Sequence, residues 1–462
     1  MIPLTLAEIA DATGGTPHRI DDTAVRVTGP LSFDTRAVAP DGLFACLRGR
    51  SADGHDYAVR AVTEGGAVAV LAERPVEAPA IVVGDVRAAM ARIARLIAAR
   101  YPGTVIGITG SAGKTSTKDI LETVLAAHGP TVANVRSFNN EIGFPVTVSR
   151  VEPDTRYLVL EMGARGKGHI AELCDVVRPR VATVLGVGSA HVGEFGSREA
   201  IADTKAEIVR ALPGDGVAVL NGDDPLVAPM ARETSARVLT FGTGEECAVR
   251  GEDVRAGADG HPAFTLRYGT HHAEIVLRGI HGRHHVTNAL AAAATALAAG
   301  VPFATVAAGL PGARLSSGGR MQVIHRPDEV TVVNDAFNAA PEAVLAALDA
   351  LTDIAGPDRR RIAVLGEMAE LGADAPGWHD TVAGKVVSTG VHRTIGVGGE
   401  LAARMVNAIR LAGLDAVHTR EHGRESLTAR IHAELRPGDV VLVKGANALG
   451  LERVANDLAE RG

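Results

Sequence analysis

The stretch ITGSAGKTSTKDILETVL (residues 108–125) runs from an apolar strand through Gly110-Ser111-Ala112-Gly113-Lys114-Thr115-Ser116 directly into a helical pattern. Glycines at such a turn let backbone N–H groups face phosphate oxygens, and the helix N-terminus adds positive potential. In that setting Lys114 reaches the terminal phosphates of a nucleotide and the Thr115 hydroxyl can ligate Mg²⁺. The common GxxxxGK[ST] spacing wants glycine at 108, where this chain has Ile108. The competing reading, an ordinary Gly-rich turn, is disfavoured by the strand that leads in and the helix that opens at once.

Working outward, YLVLEMGA (157–164), VATVLGVG (181–188) and VAVLNGDD (217–224) are β-rich runs ending in Gly or acid, with helical stretches such as EAIADTKAEIVRAL (199–212) between them. Continuous apolar strands alternating with helices predict a parallel sheet covered on both faces, with ligands beyond the carboxyl ends of its strands. Residues 246–280 alternate like an antiparallel insertion, and the Ala-rich NALAAAATALAAG (288–300) reads as a buried helix. Ahead of Pro102-Gly103, residues 1–98 form a small α/β pattern closed by the helical VRAAMARIARLIAAR (86–100). From about 313, TVVNDAFNAAP, RRIAVLGEMAELG, RTIGVGG and DVVLVKGANALG each run from strand to loop, as a second doubly wound unit would. The expectation is an α/β chain of three domains. These are a small α/β unit (1–98), a central phosphate-loop-type parallel sheet (99–312) and a Rossmann-like unit (313–462).

The 462-residue length suits two to four domains. Lys plus Arg is 47 against 54 for Asp plus Glu, a formal charge of −7, and only 3% of residues are aromatic. Both values argue against a general nucleic-acid binder, which needs a basic face and stacking platforms. Cys46, Cys174 and Cys247 lie far apart with no CxxC pair, so neither a disulfide scaffold nor a zinc ribbon is supported, and a reducing cytoplasm is the expected setting. The N-terminal MIPLTLAEIADATGG lacks the cationic start and apolar block of a signal peptide, and no apolar stretch is long enough for a membrane span.

The TGxxGKT form of the loop resembles that of the Mur ligase family, closest to its branch that adds D-alanyl-D-alanine to UDP-N-acetylmuramoyl tripeptide, the MurF type. The resemblance covers nearly the whole chain. SFDTRAVAPDGLFACLRGRSADGHDYA (32–58) is similar to the family's uridine-nucleotide-binding region, with Thr35 where Ser is usual, which implies Thr35 and Arg36 at the UDP end. By composition alone, Asp34-Thr35-Arg36 is more often a turn. FNNEIGFP (138–145) carries Asn139 and Asn140, similar to the family's paired asparagines, which the resemblance implies to be substrate-binding. Glu161 ends a strand and is a sensible Mg²⁺ ligand, against the plain reading of a surface acid. His191 in GSAHVGEFGS is a poor Mg²⁺ ligand on chemistry alone and suits hydrogen bonding, but the resemblance implies the second metal site.

Lys205 in REAIADTKAEI reads by itself as a solvated charge on an amphipathic helix. The resemblance implies instead a carbamylated lysine that holds Mg²⁺. Forming it requires a neutral amine, hence burial or a nearby cation to lower the pKa. Asn288 in GIHGRHHVTNALAAAA is similar to the family asparagine that reads adenine, and His284-His285 would be a poor chelating pair if both lay on one helix. Arg320 resembles the linker arginine near the nucleotide phosphates. Asp335 is implied to contact nucleotide, Asn338 to lie toward the incoming amine, and Lys444 to match the family's Lys-Gly-Ser-Arg. GEMAELG (366–372) is a further stretch of MurF type.

The resemblance implies an ATP- and Mg²⁺-dependent amide ligase of peptidoglycan synthesis, cytoplasmic and monomeric, joining a UDP-linked muramoyl peptide to an amine or dipeptide through an acyl phosphate. Departures gather at the acceptor end: Phe337 for Tyr, Ala340 for Asn, Ala446 for Ser and Asn447 for Arg. An Arg clamp on a carboxylate is lost with that last change. Two alternatives therefore remain beside the cell-wall ligase: a related ligase of specialised metabolism with another amine, and an inactive nucleotide-binding scaffold.

Overall fold

A computed structural model describes residues 1–49, 52–135, 138–190, 192–257, 260–420 and 423–461. Among these, the strands form a five-stranded, a nine-stranded and a six-stranded sheet and one two-stranded ribbon. The fold is the expected α/β arrangement in three parts.

The nine-stranded sheet sets the site. Strand Thr104–Thr109 lies inside it, hydrogen-bonded in parallel to Tyr157–Glu161 on one side and Val181–Val184 on the other. Their side chains are almost entirely buried, as continuous apolar strands require when helices cover both faces. Thr109, Glu161 and Val184 therefore end side by side at the carboxyl edge, where the loops carry chemistry. The segment expected as an insertion instead extends this sheet. Val249–Ala256 pairs in parallel with Arg237–Gly242, and Pro262–Tyr268 and His271–Val276 continue as antiparallel strands. The Ala-rich run is the helix His285–Ala298, whose residues Ala289 to Ala294 are fully buried against helix Lys114–Ala126.

In the six-stranded sheet only the edge strand Gln322–His325 is antiparallel. Strand Val440–Lys444 lies between Thr331–Asn334 and Arg361–Gly366, which aims Asp335 and Lys444 out of the same edge. The N-terminal sheet has a small apolar cluster of its own on one face, around Phe44, Val70 and Ala61, but shares the core on its other face. Leu4, Ile9, Met90 and Ile93 belong to one apolar cluster with Phe144, Leu158 and Ile208 of the central unit. Its strands are only two to four residues long, and its larger apolar face is covered together with the central unit.

Polar contacts fasten the third part to the second. Asp119, on the helix after the phosphate loop, forms a fully buried pair with Lys118 at 2.5 Å and accepts from Ser316 Oγ and Ser317 N, both at 3.0 Å. The linker to Arg320 is thereby held by the helix that carries Lys114. GEMAELG supplies a second fastening, with the Gly193 N–H donating to the Glu370 carbonyl at 3.1 Å. Glu370 has a φ of 64°.

Removing one partner of a buried pair leaves a charge without compensation, which typically costs about 3–5 kcal/mol. Asp119→Ala is expected to lower stability by roughly that amount, read from urea unfolding followed by far-UV circular dichroism.

Candidate active site

A cavity of about 1330 Å³ opens at the carboxyl edge of the central sheet and is lined from all three parts of the chain. Its floor is the predicted phosphate loop. Gly113, with φ 80°, begins helix Lys114–Ala126, and a Cβ there would come within 2.4 Å of Asn288 Oδ1. A Cβ at Gly110 would meet Leu185 at 2.8 Å. These positions have no room for a side chain, so the loop backbone stays open toward the cavity, as a phosphate cradle requires. Ser111, Ala112 and Ser116 line the same floor, and the Ser111 N–H donates to the Gly186 carbonyl at 2.9 Å. Lys114 Nζ curls back to the Gly110 carbonyl at 2.6 Å. Desolvation lowers its pKa, with Arg320 acting the same way and Glu161 opposing.

Thr115 Oγ1 donates to Glu161 Oε2 at 2.8 Å and accepts from Arg320 Nη2 at 3.1 Å. The other oxygen of Glu161 accepts from Asn139 Nδ2 at 2.7 Å, and its backbone N–H donates to Asn134 Oδ1 at 2.5 Å. Asn140 turns the other way, its Oδ1 accepting from the Gly143 N–H at 3.0 Å. A hydroxyl and a carboxylate this close form a hard-oxygen pair of the kind Mg²⁺ takes.

Lys205, on helix Arg198–Arg210, is 7% exposed and lines the cavity. It has no hydrogen-bonding or ion-pairing partner among the described residues, unlike Lys118 and Lys444, which each bind a buried carboxylate. Desolvation, and secondarily the Lys114 charge, pull its pKa down to about 7. The solvated-charge reading is therefore corrected. A substantial neutral-amine fraction at neutral pH is what carbamylation needs, so the residues fit the implied Mg²⁺ site. His191 lies outside the described residues. Among those described, no group of three His, Cys, Asp or Glu gathers around a metal position.

At the nucleotide end, Asn288 Nδ2 lies 3.0 Å from His285 Nδ1. His284 and His285 open the helix that carries Asn288, and their rings pack with centroids 4.1 Å apart. Burial drives His284 to about 4 and His285 well below its ordinary value, so both are neutral. His284 Nδ1 and His285 Nε2 are buried without hydrogen-bond partners. Unpaired buried nitrogens of this kind suit the polar edge of a ligand base.

From the C-terminal part, Arg320 stacks over the Phe337 ring at 3.9 Å. Asp335 accepts from the Met321 N–H at 3.0 Å and from Lys444 Nζ at 2.5 Å. Lys444 also donates to the Asn338 carbonyl at 3.1 Å, while Asn338 Oδ1 accepts from the Ala339 N–H at 2.9 Å. Asn447, which stands where the family has Arg, donates to the Phe337 carbonyl at 3.3 Å, and Ala446 is buried. Thr35 and Arg36 are the candidates that do not line this cavity. Arg36 is exposed and bidentate to Asp34, at 2.9 and 2.7 Å. The N-terminal part contributes Arg87 instead. Arg87, Asp224 and Glu342 escaped notice in the sequence because each looks like an ordinary surface or helix-end charge. The thiols of Cys46 and Cys174 are pushed up to about 12 by burial, which leaves them inert.

A UDP-N-acetylmuramoyl-tripeptide–D-alanyl-D-alanine ligase of Mycobacterium bovis is 46% identical, over 99% of this chain and 98% of the relative. The chain belongs to the Mur ligase family. Its models match as the Mur ligase family catalytic domain (30–104), the Mur ligase middle domain (108–296) and the Mur ligase glutamate ligase domain (319–447). The Escherichia coli ligase of the same name is 32% identical over the full length of both chains. Among crystal structures, MurF from Acinetobacter baumannii superposes with a TM-score of 0.85 at 28% identity over 99% of both chains. MurF ligase from Thermotoga maritima in complex with ADP gives 0.76 at 27% identity, over 94% of this chain and 98% of that one. This Mur ligase has no helix among its described residues long and apolar enough to cross a membrane.

The lowered pKa of Lys205 has a stability consequence with a definite sign. The folded protein begins to lose the proton near pH 7, whereas the unfolded chain keeps it to about 10.5. The unfolded state therefore binds more protons across that window, and stability rises with pH between the two values. In CO₂-free buffer, Lys205→Met is expected to be more stable than the parent at pH 7 and below, with the gain shrinking toward pH 10.5. Urea denaturation across that range checks it, and a gain independent of pH would contradict it.

Proposed function

We propose that this Mur ligase joins D-alanyl-D-alanine to UDP-N-acetylmuramoyl tripeptide at the expense of ATP, in peptidoglycan precursor synthesis. The observation that carries the reading is a single cavity in which the phosphate loop, the Thr115–Glu161 pair and the unpartnered Lys205 face Arg320, Asp335 and Lys444 of the C-terminal part. A carboxylate must be activated before an amine can displace its oxygen. The substrate carboxylate attacks the γ-phosphorus, and the bond to the ADP oxygen breaks. The acceptor gives its ammonium proton to solvent, and the amine nitrogen then attacks the acyl carbon. Phosphate leaves with the electrons of the C–O bond, and the nitrogen releases a second proton to leave the amide.

Phosphoryl transfer asks the protein mainly for positioning and charge neutralisation. Within the loop Gly110–Ser116, the N–H groups not engaged inside the protein would bind the phosphates. Lys114 would exchange the Gly110 carbonyl for a phosphate oxygen, and Arg320 would neutralise charge from the opposite wall. Asn288, with the neutral His284 and His285 beside it, would hold the adenine, and Asp335 would contact the nucleotide. Thr115, Glu161, His191 and carbamylated Lys205 would hold Mg²⁺, which supplies positive charge to the phosphate oxygens when bound. Asn139 keeps Glu161 aimed, and Asn140 fixes the turn that carries it. The UDP end is assigned to the N-terminal part with Thr35 and Arg36, and Asn338 and Lys444 to the acceptor side. Division at 1–98, 99–312 and 313–462, a cytoplasmic setting and a monomeric state belong to the same proposal.

The departures at Phe337, Ala340, Ala446 and Asn447 keep a different amine as the alternative acceptor. Asn447 holds the Phe337 loop by a neutral hydrogen bond and brings no cation for a carboxylate. An inactive scaffold is disfavoured, since it needs neither Lys114 nor a buried Lys205. Phosphate release from ATP is expected to require both UDP-N-acetylmuramoyl tripeptide and D-alanyl-D-alanine. Release with another amine but not with this dipeptide would sink the cell-wall reading, and no release with any amine despite nucleotide binding would favour the scaffold. Lys114→Ala is expected to abolish turnover while calorimetry still shows binding of the UDP-linked peptide.

A further inference from the structure

Six carboxylates line the cavity: Glu141, Glu161, Glu172, Asp224, Asp335 and Glu342. Three have both oxygens engaged. Glu161 is held by Thr115 and Asn139, Asp224 by the N–H groups of Val187 and Leu226, and Asp335 by Met321 N and Lys444. Glu141 and Glu172 lie at the exposed rim.

Glu342 differs from all of these. It is the second residue of helix Pro341–Ala355. Its Oε1 accepts from both the N–H and the hydroxyl of Ser189, at 2.8 and 2.6 Å. Gly188 packs against the carboxylate so closely that a Cβ there would lie 3.2 Å from it. The group is thus fixed from across the boundary between the central and C-terminal parts, and Oε2 has no hydrogen-bonding or ion-pairing partner among the described residues. Ser189 belongs to the loop after strand Val181–Val184, the loop whose Gly186 carbonyl takes the Ser111 N–H. Glu342 is therefore fastened to the loop that touches the phosphate loop, and it lines the same cavity as Asn338.

The cavity also gathers Arg87, Lys114, Arg165, Arg320 and Lys444, so its lining carries both signs of charge. Lys114 and Arg320, beside the phosphate loop, suit anionic reactants and repel a protonated amine. An α-amino group with a pKa of about 7.7–8.0 arrives mainly as ammonium at neutral pH, so an acceptor of this kind needs one well-placed anion. We infer that Glu342 binds the ammonium of the incoming amine through Oε2 and so selects a cationic primary amine as acceptor. The inference rests on the amide-ligase reading above. A charge at the first turn of a helix is also favourable by itself, so the test must separate charge on the substrate from support of the fold.

Glu342→Gln keeps an acceptor oxygen for Ser189 and removes only the charge. Steady-state phosphate release with each substrate varied in turn is expected to show KM for D-alanyl-D-alanine raised tenfold or more. KM for ATP and for the UDP-linked peptide should stay within twofold, with kcat at saturating dipeptide within threefold. Ser189→Ala, which removes the hydroxyl half of the fastening but leaves the backbone N–H and the carboxylate, is expected to change KM for the dipeptide by less than threefold. The inference is overturned if Glu342→Gln leaves that KM within twofold, if all three KM values rise together, or if Ser189→Ala reproduces the tenfold rise. Absence of dipeptide-dependent turnover in the parent protein would instead count against the ligase reading, so the two failures are distinguishable.

Discussion

The Thr115 hydroxyl is the point on which the site turns. It donates to Glu161 and accepts from Arg320, so one side chain joins the phosphate loop to the neighbouring strand and to the C-terminal part. That junction exists because strands Thr104–Thr109 and Tyr157–Glu161 are paired in parallel with Ile108 opposite Glu161. Arg320 reaches the hydroxyl because Asp119, on the same helix as Thr115, anchors Ser316 and Ser317 just before it. Shifting any of these elements would separate the groups that have to act on one phosphate.

Charge of both signs is concentrated in the cavity. The chain carries −7, and six Lys or Arg side chains share one cavity with six carboxylates. Lys444 has a carboxylate hydrogen-bonded to its ammonium, whereas Lys205 has no partner among the described residues. Burial without compensation costs free energy, and the protein bears that cost where anionic substrates can offset it. The lowered pKa of Lys205 follows from the same arrangement, because desolvation and a neighbouring ammonium both oppose its charged form.

Contacts between the parts are small and polar. Glu342 to Ser189, Glu370 to Gly193, Arg320 to Thr115 and Arg283 to Asp353 are among the contacts that attach the C-terminal part, while its two apolar clusters remain within its own sheet. Polar interfaces of this kind allow relative motion of domains. The N-terminal part is different, because it shares an apolar core with the central sheet.

The strand, loop and helix around Lys114, the alternation of strands and helices on both sides, and the family motifs were legible in the sequence. These depend on neighbours in the chain: periodicity, glycine at a turn, an acid at a strand end. What the motifs left ambiguous was settled by burial. Lys205 looked like a surface charge because helical spacing does not reveal what packs over a helix, and His284 and His285 looked divergent, yet their rings pack together. Thr35 and Arg36 matched a motif yet lie outside the main cavity, and Glu342 matched none yet faces into it. The sequence by itself determined the secondary elements, their order and the phosphate loop. Only the tertiary structure decided which charges lose their solvent and which carboxylates lose their partners, since those properties come from residues more than a hundred positions apart, such as Ser189 and Glu342.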